Sequence, residues 1–303
     1  MTADETKIKG HLCAFLATVM WGMMAPIAKD AMEVFSPFML TTFRLAGGAL
    51  LFWVVSFFMR SDERVVRGDM FRLFLAGLFA FVFNQGLFLS GLSMTTPVDA
   101  TIVTTMLPII TLVFAAVFLH EPLSGLKALG VAVGFAGAVT LILSSANGGK
   151  LGGDYRGDLL IFLAQMSFAV YLTMFKDLTK KYSSVTVNKW IFLFSSVCYL
   201  PVSGSQFLRF DWSVVTLDLA LEVMYVVLFG SFFAYLLYVE SQSYLRPTVL
   251  AMYNYVQPIT ASTLAVALGM AEFSVLKAVS VALVFLGVFL VTQSRSKEEA
   301  VRK

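Results

Sequence analysis

The chain has 303 residues, 58% of them hydrophobic and 14% charged, with a mean hydropathy of +0.82 and a formal net charge of +3. A soluble domain needs far more charge to cover its surface, and a balance this close to neutral, with no basic domain, offers nucleic acid no footprint. The apolar residues fall instead in runs of about 20, the length that crosses a hydrocarbon core of ~30 Å, which marks an all-α integral membrane protein.

Hydropathy predicts ten spans, over 11–29, 37–59, 71–92, 97–119, 125–144, 157–178, 186–204, 217–241, 247–269 and 275–293. The leading MTADETKIKG is short, polar and mildly basic, and a full-length span without a small-residue cleavage site follows it, so the first span is read as a retained helix. That span carries Thr18, Trp21 and Met24 as a mixed polar and aromatic stripe at helical spacing. The second holds Arg44, read as structural, either snorkelling outward or holding a carbonyl. Asn84 and Gln85 sit in the middle of the third. An amide pair facing lipid there would cost several kcal/mol, so it faces inward, toward a neighbouring helix or a solute.

In the fourth span Thr101, Thr104, Thr105 and Pro108 share one face, and the proline permits a bend near the membrane middle. Such a face either lines a cavity or satisfies its own helix backbone. The fifth span has a small-residue face, Gly130, Gly134 and Gly137, suited to close approach of the tenth span at Gly287 or of a second copy; a monomer is the favoured reading. Gln165, Phe168 and Tyr171 form the stripe of the sixth span. The eighth carries Tyr235, and the ninth Ala251, Tyr253, Asn254, Tyr255 and a second hinge proline, Pro258. Asp99 and Glu240, near the ends of the fourth and eighth spans, are candidates to bind a proton or a substrate ammonium, or are solvated at the interface. Glu121 and Glu272 lie in the loops that open the fifth and tenth spans, where a carboxylate stabilises a helix N-terminus. Cys13 and Cys198 both sit inside apolar runs and read as packing residues.

Orientation follows from the lysines and arginines. With the N-terminus in the cytoplasm, sixteen fall in inside segments and five in outside segments, and Arg44 completes the twenty-two. This bias places both termini inside, as an even number of spans requires.

Sliding the sequence against itself exposes a repeat. At an offset of 150, Pro97 falls on Pro247, Pro108 on Pro258, Lys127 on Lys277 and Gly137 on Gly287. At an offset of 147, Lys29 and Asp30 fall on Lys176 and Asp177. The chain therefore divides into a first repeat over 1–144, an external linker at 145–158, a second repeat over 159–293 and a cytoplasmic tail at 294–303. Five spans per copy is an odd number, so the copies enter the membrane in opposite senses, an architecture of transporters. The same offsets match the stripes of the first and sixth spans, the third and eighth, and the fourth and ninth.

Trp21 and Gly22, Arg44, and the stretch from Pro108 through LHEPLSGLKALGVAVGFAGAVTLI to Ile142 resemble the EamA branch of the drug/metabolite transporter superfamily. A weaker copy runs from Pro258 through MAEFSVLKAVSVALVFLGVFLVT. The resemblance implies ten helices in two inverted five-helix EamA repeats, with both termini cytoplasmic, in the inner (plasma) membrane. It also implies a central cavity lined by helices 1, 3, 4, 6, 8 and 9, with helices 5 and 10 given to packing. Members move amino acids, related metabolites or drugs, often outward. The second repeat departs from the first in having Phe168 and Ala169 where the first has Trp21 and Gly22.

The expected function is therefore export of amino acids or related amphipathic small molecules, with no cofactor, no metal and no nucleic-acid partner. Facilitated diffusion and proton exchange through Asp99 or Glu240 stand as alternative couplings, the latter as in a proton-coupled drug exporter. An intramembrane enzyme is the rival class, but the chain has two histidines, His11 and His120, and no HExxH motif. A non-transporting scaffold leaves the inverted repeat without a purpose.

Overall fold

The computed structural model describes residues 3–58, 63–92, 94–95, 97–145, 154–267 and 275–294, for some of them, including Asp99 and Thr101, the backbone alone. Of the expected linker, residues 146–153 lie outside these residues, as do the tail beyond Ser294 and Glu272. Among the described residues the regular structure is entirely helical. In hydrocarbon no water satisfies a backbone amide, and a helix satisfies its own.

The first predicted span is α1 (Ala3–Ala31) and the second α2 (Pro37–Phe58), with proline at the start of α2, where no intrahelical N–H bond is lost. The third is α3 (Arg67–Gly77), a π-helical turn at Leu78–Phe83, and α4 (Asn84–Leu92). The fourth is two helices, α5 (Pro97–Thr104) and α6 (Leu107–Phe118), and the fifth is α7 (Gly125–Ser145). α8 (Tyr155–Met174) starts at Asp154, whose side chain accepts from the Arg156 amide, and yields to the short α9 (Lys176–Lys181). α10 (Ser184–Arg209) is capped by Ser183, which accepts from the Thr186 amide. α11 (Leu217–Val227), a second π turn at Leu228–Phe233 and α12 (Ala234–Tyr244) make up the eighth span. The ninth is α13 (Pro247–Met252), a 3₁₀ turn at Tyr253–Tyr255 and α14 (Val256–Ala267); the tenth is α15 (Val275–Gln293).

Among the described residues five stretches are long and apolar enough to cross a membrane: Pro37–Phe58, Arg67–Leu92, Tyr155–Met174, Ser184–Arg209 and Leu217–Tyr244. The apolar helices at Ile102–Phe118, Gly125–Thr140 and Ala278–Gln293 are shorter. The fourth and ninth spans, where a proline bend was expected, are interrupted for one physical reason. Proline has no N–H for the carbonyl four residues back, and its ring crowds that carbonyl. For Pro108 that residue is Thr104, where α5 ends, and for Pro258 it is Asn254, inside the 3₁₀ turn.

By contact the chain forms two compact units, each drawing on both halves of the sequence. One takes residues 1–85 and 177–244. Here α10 packs along α2 and α1 along α12, and a buried cluster of Ala28, Ala31, Phe35, Met39, Leu40, Leu219 and Val226 ties α1 and α2 to α11. At one end Asp69 takes hydrogen bonds from Lys181 and from the Tyr182 hydroxyl (2.7 Å), while Arg72 grips Asp177 through two bonds of 2.6 and 2.8 Å. Lys189 is buried, its Nζ donating to Ser56 Oγ at 2.8 Å and standing 5.2 Å from the Trp53 ring centre.

The other unit takes residues 86–176 and 245–303. Its main contact is α7 along α15, with α6 packed on α8 and α13. The close approach of α7 and α15 depends on glycine: a Cβ on Gly287 would lie 2.6 Å from the Gly130 carbonyl oxygen and 2.7 Å from Gly134 Cα. The predicted docking of the fifth helix on the tenth is thus present within one chain. Glu121 does more than face a helix N-terminus, since it accepts from Lys127 Nζ at 2.5 Å in a buried ion pair across the opening of α7. At the other end of α15, Arg246 donates to the Val291 and Ser294 carbonyls (3.2 and 2.9 Å) and so ties the start of α13 to the last turn of α15.

Candidate functional site

The polar centre of the first unit is built on the π turn at Leu228–Phe233. A π turn bonds each carbonyl to an amide five residues on instead of four, which frees backbone oxygens where it rejoins the α-helix. Trp21 Nε1 takes one, donating to the Gly230 carbonyl at 2.9 Å. Met24, one turn along, rests on the same glycine, where a Cβ would stand 2.0 Å from Met24 Sδ. The Trp21 ring meets Tyr235 edge-on at 4.9 Å and Tyr238 at 4.8 Å. Tyr235 in turn lies 4.8 Å from Phe81 and 5.3 Å from Phe192, and its carbonyl accepts from Asn188 Nδ2 at 3.1 Å. The fold therefore brings together Trp21, Met24 and Tyr235, three of the predicted residues, around a fixed aromatic junction.

Beside this junction Thr41, Arg44, Leu45, Phe81, Gln85, Phe192 and Ser231 close around a cleft too narrow for a water molecule. Gln85 Nε2 donates to Asn84 Oδ1 at 3.1 Å, so the predicted amide pair is internally bonded and Gln85 borders the cleft. Arg44, two turns into α2, departs from both expected roles. Its Nε donates to Ser231 Oγ at 3.2 Å, and that serine belongs to the π turn. Thr41 and Ser231 were not foreseen. The signal available in the sequence was Thr41 at i−3 from Arg44, on the same helix face; nothing in the sequence marks the π turn that presents Ser231.

The remaining candidates fall as follows. Thr18 is buried and its Oγ1 donates to the Ala14 and Phe15 carbonyls, both at 2.9 Å. In the second unit Thr104 and Thr105 do the same toward Ala100 (2.8 Å) and Ile102 (2.6 Å). These threonines bond their own helix. The side chains of Asp99 and Thr101 lie outside the described residues; their backbone is in α5. Gln165, Phe168 and Tyr171 are buried on α8, the two rings 5.7 Å apart. Tyr253 is buried, and half-buried Asn254 donates to the Ala251 carbonyl (3.1 Å) and accepts from Gln257 Nε2 (2.8 Å). Pro108 and Pro258 each follow a helix break. Glu240, in the first unit, accepts from Lys9 Nζ at 2.7 Å, from the Tyr244 hydroxyl at 2.8 Å and from Ser184 Oγ. Among the described residues no cluster of His, Cys, Asp or Glu has the makings of a metal site.

The model of the EamA-like transporter family matches residues 8–143 and, a second time, 155–293. The chain belongs to the EamA-like transporter family. Like other EamA-like proteins it is a membrane protein, and several of its relatives are named transporters. It is 25% identical over 293 residues to an uncharacterized transporter of Archaeoglobus fulgidus, a match covering 95% of this chain and 100% of the relative. It is 24% identical to the uncharacterized inner membrane transporter YedA of Escherichia coli, over 92% of this chain and 89% of that one. A solved crystal structure superposes with a TM-score of 0.79 at 19% identity, covering 93% of this chain and 96% of the other, so the two share a fold.

Proposed function

We propose that this protein exports small metabolites, amino acids or related amphipathic compounds, from the cytoplasm by alternating access. Ten spans in two inverted five-helix repeats would carry the motion, with both termini cytoplasmic in the inner membrane. The observation that carries this reading is the double match of one family model, over 8–143 and 155–293. Local structure supports it: α3, its π turn and the break before Pro108 recur 150 residues on as α11, its π turn and the break before Pro258. Two copies of one unit, inserted in opposite senses, have an inward-open and an outward-open state of similar energy, because each state is the other with the copies exchanged.

Solute contacts are assigned to Trp21, Met24, Asn84, Gln85 and Tyr235 in one unit, and to Gln165, Phe168, Tyr171, Tyr253 and Asn254 in the other. Their mix of rings and amides suits an amphipathic molecule. Pro108 and Pro258 are the hinges. Facilitated diffusion is the favoured coupling, because Glu240 is already engaged by Lys9, Ser184 and Tyr244. The test is efflux of a panel of radiolabelled amino acids from proteoliposomes, with and without an imposed pH gradient. Saturable efflux unaffected by the gradient is expected. Efflux that vanishes when the gradient is collapsed would replace diffusion with proton exchange, and no efflux of any solute would remove the transport reading.

A further inference from the structure

Arg44 carries a charge that no accessible pH removes, and a cation held among helices without a counter-charge is costly. Four other cations are paired, Lys9 with Glu240, Arg72 with Asp177, Lys127 with Glu121 and Lys181 with Asp69, while Lys189 rests on Ser56 and Trp53 and Arg246 on helix carbonyls. Arg44 forms no ion pair with any described carboxylate. Its hydrogen bond runs from Nε to the neutral Ser231 hydroxyl, and neither Nη nitrogen bonds a described residue. Those two nitrogens are the fork that grips a carboxylate through parallel bonds.

The surroundings fit that use. Leu45, Phe81 and Phe192 give the cleft apolar walls, while Thr41, Gln85 and Ser231 supply polar atoms around the guanidinium. The Tyr199 hydroxyl lies beside Thr41, buried within electrostatic reach of Arg44.

We propose that Arg44 anchors a monocarboxylate here, its Nη fork on the two oxygens and Ser231 holding the guanidinium plane, with the packed rings of Phe81 and Phe192 (4.7 Å between centres) parting to admit the solute's apolar stem. A single cation neutralises a single negative charge, and the apolar walls disfavour a more highly charged anion such as phosphate. That this carboxylate belongs to the transported solute rests on the transporter reading; that it binds here does not.

The experiment is thermal unfolding of detergent-purified protein with propionate, benzoate or phenylacetate, each against its own amide and against inorganic phosphate at equal ionic strength. A ligand that binds only the folded state raises the unfolding temperature with concentration. At least one carboxylate should stabilise the wild type, its amide should not, and phosphate should do less. Arg44→Gln should abolish the shift, and Arg44→Lys, which keeps the charge and loses the fork, should weaken apparent affinity about tenfold. If Arg44→Gln does not fold, the wild-type comparison of carboxylate and amide decides, together with Ser231→Ala, which should weaken binding several-fold. No shift from any carboxylate, equal shifts from amides or phosphate, or a shift that survives Arg44→Gln would overturn the proposal. Flux in proteoliposomes keeps the two readings apart: carboxylate binding without flux removes the transport reading and leaves the site, while flux unchanged by Arg44→Gln removes the site and leaves transport.

Discussion

Trp21 is fixed twice, by its ring against Tyr235 and Tyr238 and by Nε1 on the Gly230 carbonyl. Trp21→Phe keeps most of the ring contact and orphans a buried carbonyl, a loss of about 1–3 kcal/mol. Trp21→Ala also opens a cavity and should cost roughly 3–5 kcal/mol. Thermal or denaturant unfolding in detergent would rank the two, and equal stability of Trp21→Phe and wild type would mean the hydrogen bond is inconsequential. Outside the membrane spans, Glu63 accepts from the Ser183 amide (3.0 Å) and Oγ (2.8 Å). Burial raises its pKa, but hydrogen bonds from Thr186 and Ser183 outweigh that and hold the carboxyl below its ordinary value. A carboxylate depressed by folding stabilises above its unfolded pKa of about 4.3 and loses that contribution as pH falls through the folded value. Glu63→Gln should therefore flatten the acid side of the stability profile below about pH 4.5 and leave its shape near neutrality unchanged; a profile parallel to wild type at every pH would refute this. At this scale the sequence was informative about which residues are unusual and silent about their partners. Arg44, Asn84 and Glu240 stand out because polar groups are costly in a bilayer, whatever they touch. Asn84 finds Gln85 next to it in the sequence, but the partners of Arg44 and Glu240, Ser231 and Lys9, are set by packing, which no local pattern encodes.

The π turns at Leu78–Phe83 and Leu228–Phe233 show the limit one level up. Hydropathy sees apolar runs of span length in both places and cannot distinguish four-residue from five-residue bonding, since the choice rests on which carbonyls a neighbouring helix claims. Ser195 Oγ claims the Gly77 carbonyl beside the first (3.1 Å), and Trp21 claims that of Gly230 in the second. The breaks before Pro108 and Pro258 were legible because proline acts through its own covalent structure. The small-residue face of the fifth span was legible too, and it gives a paired prediction. Gly287→Val drives a side chain into the backbone of α7 at Gly130 and Gly134, where nothing flexible can yield, and should destabilise by at least 1–3 kcal/mol. Gly204, inside α10, has nothing within 4 Å of the position a Cβ would take. Gly204→Ala should leave stability unchanged or raise it by up to about 1 kcal/mol, because glycine is the weaker helix former. Unfolding midpoints of the two variants measured side by side check the pair, and a tolerated Gly287→Val would mean that α7 and α15 separate more easily than their glycine contact implies.

At the scale of the molecule, the two compact units cut across the two halves of the sequence, each taking segments from both. A tandem pair of independently folded repeats would have divided at the 145–158 linker. Interleaving of this kind could not be read from the sequence, because the repeat offset says which segments correspond and not which ones touch. Opposite insertion of the copies, by contrast, rests on the sequence's charges and has a direct test. Leu123 precedes α7 and Val275 opens α15, nearly one repeat apart, and both are well exposed, at 65% and 75%. The lysines near them, Lys127 and Lys277, fall inside and outside under the charge bias; Lys127 is itself buried in its ion pair with Glu121 and a poor reporter. With Cys13 and Cys198 replaced by serine, single cysteines at Leu123→Cys and Val275→Cys should respond differently to a membrane-impermeant maleimide added to intact cells. Cys at 275 should label at once, and cys at 123 only after the membrane is permeabilised. Labelling of both from outside would put the loops before α7 and α15 on one side of the bilayer, and the inverted repeat, with the alternating-access mechanism built on it, would have to be given up.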